Sequence, residues 1–127
     1  MNYKTLTSLT AILTFINASF FLLVPVFSLA LLGRTTDPMG ILSTRISGAC
    51  ALGLGVVTWL ARNFRIPEVQ RLVAIGNLTT FGILVIVDLQ GLIMGAIGNL
   101  GWLIFSADLL LFIGFVIAIS TIRGVHT

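Results

Sequence analysis

The chain is short of charge. Only 9% of its 127 residues are charged, against roughly 25% in an ordinary soluble domain, while 57% are hydrophobic. A soluble fold of this length could not cover its surface with so few polar residues, and the length allows one domain at most. The sequence therefore predicts a protein whose apolar excess faces lipid.

Cysteine and histidine are equally scarce, which excludes several kinds of chemistry. Cys50 has no second cysteine with which to form a disulfide or a redox pair. The only histidine is His126, and the sequence contains no metal-ligand cluster, no Ser/His/acid set and no glycine-rich phosphate loop. We therefore assign no catalytic residue and no metal site, and an enzymatic role is not favoured. No cofactor is predicted, although the residues leave a bound lipid, quinone or pigment open.

What the chain does have is apolar runs. Four of them reach the roughly 20 residues that a helix needs to cross a bilayer. They are residues 6–32, 40–61, 69–90 and 98–122. Pro38 and Pro67 each come just before a new run, where proline suits a helix start, and Pro25 is expected to kink the outer end of the first helix. The sequence predicts a single all-α transmembrane domain over residues 1–127, an integral membrane four-helix bundle with short connections.

Basic residues gather at one end of the predicted bundle. Lys and Arg beside membrane-spanning helices are retained on the cytoplasmic side. The N-terminal segment, the second connection and the C-terminal segment share Lys4, Arg62, Arg65, Arg71 and Arg123, whereas the opposite end has only Arg34, offset by Asp37. We therefore expect both termini to be cytoplasmic. The formal net charge of +3 forms no basic patch, so no nucleic acid is expected as a partner.

Polar residues within the runs are expected to turn toward one another, because lipid offers no hydrogen bonds. At about 1.5 Å per residue, Asp88 lies about 5 Å, Arg45 about 7 Å and Asp108 about 14 Å from the outer ends of their helices. We predict an intramembrane polar cluster of Arg45, Asp88, Asp108, Asn17 and Asn77. Since an unpaired carboxylate is costly there, Arg45 is expected to pair with one aspartate, and the deeper Asp108 to be protonated at neutral pH.

Small residues in the second and fourth runs predict where helices pack closely. Such residues let two backbones approach, which holds helices together where lipid removes the hydrophobic drive. The predicted packing residues are Gly48, Ala49, Gly53, Ala51, Gly55, Gly114 and Ala118.

A family resemblance covers residues 20–63. The run LLVPVFSLALLGR, followed by RISGACALGLGVVTWLARN, resembles the first two helices of small bacterial four-helix membrane proteins of the DoxX-like kind. The resemblance implies a protein of the bacterial cytoplasmic (inner) membrane, in some members a subunit beside a redox enzyme. It supplies no catalytic residue to carry over.

Two functions are expected from these features. The first is a non-catalytic subunit or oligomeric packing module of a membrane complex, whose partners are the lipid bilayer and either further copies of the chain or other membrane subunits. The alternative is a small ligand- or proton-coupled carrier that uses Arg45, Asp88 and Asp108, because ionisable residues inside a membrane mark functional sites.

Overall fold

The computed structural model describes residues 2–122, and all regular structure in that range is helical. The helices are α1 (Tyr3–Leu23), α2 (Pro25–Leu31), α3 (Pro38–Ala61), α4 (Pro67–Ile93) and α5 (Leu100–Thr121). All but α2 are long and apolar enough to cross a membrane. The prediction of an all-α protein with four long helices is thus confirmed for this part of the chain. Arg123 and His126 lie outside the described residues.

Short local signals set the helix starts. The side chain of Asn2 accepts a hydrogen bond from the Thr5 amide at 2.8 Å, and the side chain of Asp37 accepts one from the Gly40 amide at 2.8 Å. Both contacts satisfy amides that have no partner inside the helix. Pro38 and Pro67 occupy the first position of α3 and α4, where the missing amide hydrogen costs nothing.

Pro25 has a larger effect than the predicted kink, because it divides the first run into α1 and α2. Val24 has a non-helical backbone, with φ −134° and ψ 59°, and Pro25 starts the next helix. The hydroxyl of Ser28 donates to the carbonyls of Phe20 and Val24, at 2.9 Å each, and so bridges the break. The break therefore has a fixed geometry, because Ser28 of α2 is bonded to two carbonyls that precede Pro25.

The long helices form two antiparallel pairs, α1 with α3 and α4 with α5, and contacts between the pairs are fewer. At one end of the first pair the Tyr3 hydroxyl donates to the Ala61 carbonyl at 3.3 Å. Toward the other end Gly48 faces Leu22. A buried cluster joins α1 to the second pair, and it comprises Leu6, Ala74, Phe81, Leu111, Phe115 and Ala118.

The connections at one end of the bundle are tied to each other. The Arg34 guanidinium donates to the carbonyls of Gly95, at 3.2 Å, and of Ala96. The Gly98 amide donates to the Leu32 carbonyl at 3.0 Å. Gly95 has φ +67°, which only glycine adopts at little cost. The segment between α2 and α3 is thereby fixed against the segment between α4 and α5.

Candidate functional site: an acidic pair and an uncovered helix face

Asp88 on α4 and Asp108 on α5 come together. Their side chains are within hydrogen-bonding reach of each other. Asp88 is only 9% exposed, Asp108 is half-buried, and within residues 2–122 the Oδ2 atom of Asp88 has no hydrogen-bond partner. Two ionised carboxylates at this distance repel each other, whereas a single proton placed between them makes a hydrogen bond. The arrangement can therefore bind one proton, or lose it, at a fixed place in the bundle.

Two glycines allow α4 and α5 to close tightly above this acidic pair. A Cβ atom on Gly91 or Gly101 would collide with the side chain of Ile97, which folds inward from the connection. Asp108 follows Gly101 by seven residues and so lies on nearly the same face of α5. The close turn thus directs Asp108 toward α4, where Asp88 is buried.

Arg45 does not join the acids. Neither aspartate has a basic side chain among its close contacts, so the predicted ion pair is not formed in the described part of the chain. Arg45 is exposed and lies in a surface groove at the break between α1 and α2. We call this the Pro25 groove; its lining is Leu23, Val24, Pro25, Val26, Phe27, Ala30, Ile41 and Arg45. Arg45 lies on α3, which packs mainly on α1, whereas the two acids lie between α4 and α5.

The two predicted asparagines have different environments. Asn77 is 1% exposed, and its Nδ2 atom donates to Thr58 Oγ1 at 3.0 Å and to the Val73 carbonyl at 3.0 Å. It therefore joins α4 to α3, through a threonine that the sequence reasoning did not single out. Asn17 is exposed instead of inward, because α1 meets the central cluster near its N-terminal end, through Leu6.

Three of the predicted glycines lie where helices touch. A Cβ atom on Gly48 would lie 3.0 Å from Phe21 Cβ, and one on Gly55 would lie 3.1 Å from the Phe15 ring. Gly114 makes the corresponding contact with Leu6, at 2.9 Å. Ala118 is buried and Ala51 is half-buried.

The other two predicted packing residues, Ala49 and Gly53, are exposed. A Cβ atom on Gly53 would meet nothing within 4 Å. Cys50, also exposed, lies between them on the same side of α3, and Ile46 and Val57 flank them with 56% and 57% exposure. We call Ile46, Ala49, Cys50, Gly53 and Val57 the open face of α3. Small residues in mid-helix are thus left uncovered by the rest of the described chain.

Comparison with known families gives a match over almost the whole chain. The family described as "Domain of unknown function (DUF8292)" matches residues 1–120, and the chain belongs to that family. Comparisons with curated proteins and with solved structures found no match. The resemblance of residues 20–63 to DoxX-like proteins stays a prediction, because no match bears on it.

Proposed function

We propose that this member of the DUF8292 family is an integral protein of the bacterial inner membrane that serves as a non-catalytic subunit or oligomeric packing module. Its four long apolar helices support the membrane location. We infer that both termini are cytoplasmic, since Lys4, Arg62, Arg65 and Arg71 share one end of the bundle, whereas Arg34 is the one basic residue in the connections at the other end.

The open face of α3 is the observation that carries the packing role. Glycine within a helix costs about 1 kcal/mol relative to alanine unless a close contact compensates for it. Gly48 and Gly55 have such contacts with α1, whereas Gly53 has none within the described chain. Gly76 on α4 has none either, but Gly53 shares one side of α3 with two further small exposed residues, Ala49 and Cys50. In lipid, helices associate through small residues that let their backbones approach. A second copy of the chain, or a helix of another membrane subunit, is the partner that this face suits.

Cys50 provides a direct test, since the only cysteine of the chain lies on the open face. Oxidation of native membranes with copper phenanthroline is expected to join two copies through Cys50. The matched control is Cys50→Ser with Ile83→Cys, which moves the thiol to an exposed apolar position on α4. Equal cross-linking of the control would mean random collision and would contradict the packing role.

A second variant tests whether the open face packs against a partner or is only accessible to the oxidant. Gly53→Leu places a bulky side chain on the open face without a clash inside the chain, because open space surrounds Gly53. The Cys50 cross-link is expected to be lost while the helical content of the protein stays unchanged. An undiminished cross-link would contradict close packing through this face. A cross-link to a different protein would keep the subunit role and reject the homo-oligomer.

The acidic pair favours a second candidate, a small proton-coupled carrier. Asp88 and Asp108 contact each other, with one carboxylate oxygen of Asp88 buried and unpartnered among residues 2–122. The carrier proposal therefore uses these acids without Arg45. One proton shared by the pair, with Asp108 as its main holder, is the species that a carrier would exchange.

Infrared titration and flux measurements test this candidate. A protonated-carboxyl band near neutral pH is expected in the wild type and absent from Asp108→Asn, whose amide can still donate to Asp88. In proteoliposomes Asp108→Asn is expected to abolish proton uptake with the bundle intact, while Asp37→Asn, at the exposed start of α3, is expected to leave uptake unchanged. For a subunit, Asp108→Asn should instead loosen assembly. Absence of the protonated band from the wild type would reject the shared proton.

A further inference from the structure

We propose that the Pro25 groove binds a phospholipid of the outer leaflet, with the lipid phosphate on Arg45 and an acyl chain along the apolar wall. The inference rests on the proposed membrane location, but it is independent of the packing role of the open face. It concerns the end of the bundle where Arg34 joins the two connections.

The shape of the groove follows from the helix break. Pro25 ends the continuous path of α1, and the Ser28 hydroxyl of α2 donates to the carbonyls of Phe20 and Val24, which precede Pro25, and so holds α2 against the end of α1. The wall that results is apolar and open, with Leu23 77%, Val26 58% and Phe27 54% exposed. Such a surface suits a hydrocarbon chain and would not retain a water-soluble phosphate compound.

The charge in the groove selects the headgroup. Arg45 is the charged residue of the lining, and it forms no salt bridge with the acids of residues 2–122. An unpaired cation on a lipid-facing surface is costly, and the cost falls when phosphate or water is drawn toward it. A guanidinium offers several donors in a planar fork that matches two phosphate oxygens. A phosphodiester therefore complements Arg45 better than any polar group inside the described chain.

The height of Arg45 is compatible with this contact. It follows the first residue of α3 by seven positions, which places its Cα atom about 10 Å below the start of that helix. Long arginine side chains extend toward the interface while their methylene groups stay in the apolar layer. The guanidinium can thus meet a phosphate near the outer surface while the acyl chain descends past Leu23.

Native mass spectrometry of the full-length protein in mild detergent tests the proposal. The probes are dioleoyl phosphatidylglycerol and dioleoylglycerol, which have the same chains with and without the phosphate. The wild type is expected to retain phosphatidylglycerol at least about tenfold more strongly, as for a charge-assisted hydrogen-bonded pair. Arg45→Gln is expected to lose that preference. Arg71→Gln, which removes an exposed arginine at the other end of the bundle, is expected to keep it.

Three results would overturn the proposal. Equal retention of the two probes by the wild type would mean that only the acyl chains are bound and that the phosphate contributes nothing. This comparison uses the wild type alone and does not depend on whether a variant folds. Unchanged phosphatidylglycerol binding by a folded Arg45→Gln would place the phosphate elsewhere. Loss of a co-purifying protein from Arg45→Gln, with lipid binding unchanged, would assign the groove to an acidic partner helix. The Cys50 cross-link reports the packing role separately, so failure of one proposal is distinguishable from failure of the other.

Discussion

At the scale of single residues, the contact between Asn77 and Thr58 illustrates how a buried polar pair joins two mostly apolar helices. Both side chains are buried, at 1% and 0% exposure, and each satisfies the other across the boundary between α3 and α4. Because both side chains are buried, removal of one leaves the other with an unsatisfied polar atom that solvent cannot reach. The hydrogen bonds between Asn77 and Thr58 therefore help to hold the α1/α3 pair against the α4/α5 pair, between which other contacts are fewer.

A double-mutant cycle of Asn77→Leu and Thr58→Val measures this contribution. The coupling free energy is expected to be about 0.6 kcal/mol, the average for hydrogen bonds between membrane helices, and no more than about 1.7 kcal/mol, the largest value for such bonds. The measurement is reversible unfolding in mixed micelles. Thr79→Val serves as the control, because Thr79 is exposed and its hydroxyl donates to the Ile75 carbonyl of its own helix at 2.9 Å. A coupling as large between Thr79 and Asn77 would show that the cycle does not report the contact.

At the scale of helices, α1 and α3 lie close because of glycine. A Cβ atom on Gly48 would lie 3.0 Å from Leu22 Cγ and 3.1 Å from the Leu22 backbone nitrogen. A flexible side chain can yield to such a contact, but the backbone of α1 can do so only if the whole helix moves. The spacing of the first helix pair therefore depends on this position.

Gly48→Ala is expected to lower the free energy of unfolding by about 1–3 kcal/mol, as overpacking does in a close-packed interior. Gly76→Ala is the matched control on α4, where a Cβ atom would meet nothing within 4 Å. There the gain in helix propensity is expected to leave stability unchanged or to raise it by up to about 1 kcal/mol. Thermal unfolding followed by circular dichroism compares the two. If Gly48→Ala proves as stable as Gly76→Ala, the close approach of α1 and α3 does not require a glycine at position 48.

At the scale of the whole molecule, the connections differ in charge from one end of the bundle to the other. The segment between α3 and α4 carries Arg62 and Arg65, and Arg71 follows in the first turns of α4. Arg34, at the opposite end, donates its hydrogen bonds to the carbonyls of Gly95 and Ala96. The charge asymmetry therefore predicts the segment between α3 and α4 in the cytoplasm.

Thiol labelling of intact cells tests this orientation. In a Cys50→Ser background, Thr36→Cys and Asn63→Cys each place a single exposed thiol at one end of the bundle. A membrane-impermeant maleimide is expected to label Thr36→Cys directly and Asn63→Cys only after the inner membrane is permeabilised. The reverse pattern would place both termini outside. Labelling of both variants in intact cells would contradict a membrane-spanning arrangement.

The sequence alone determined the number of the long helices, because that depends on local features, although the first predicted run, residues 6–32, forms both α1 and α2. Apolar runs, Pro38 and Pro67 at helix starts, and the polar identity of Asp88 and Asp108 can all be read without knowing which helices touch. Even the effect of Pro25 was predicted in kind, since a missing amide hydrogen acts on its own helix, although a complete break replaced the kink.

Only the tertiary structure decided which of these residues meet. Counting residues gives height along a helix, and it predicted that Arg45, Asp88 and Asp108 lie in the same half of the bundle. Height does not give the neighbour across the bundle, which depends on the pairing of α1 with α3 and of α4 with α5. That pairing brings the two acids together, places Arg45 in the Pro25 groove and leaves Gly53 uncovered. The sequence could not predict it, because each helix has several apolar faces and the sequence does not show which of them contacts another helix.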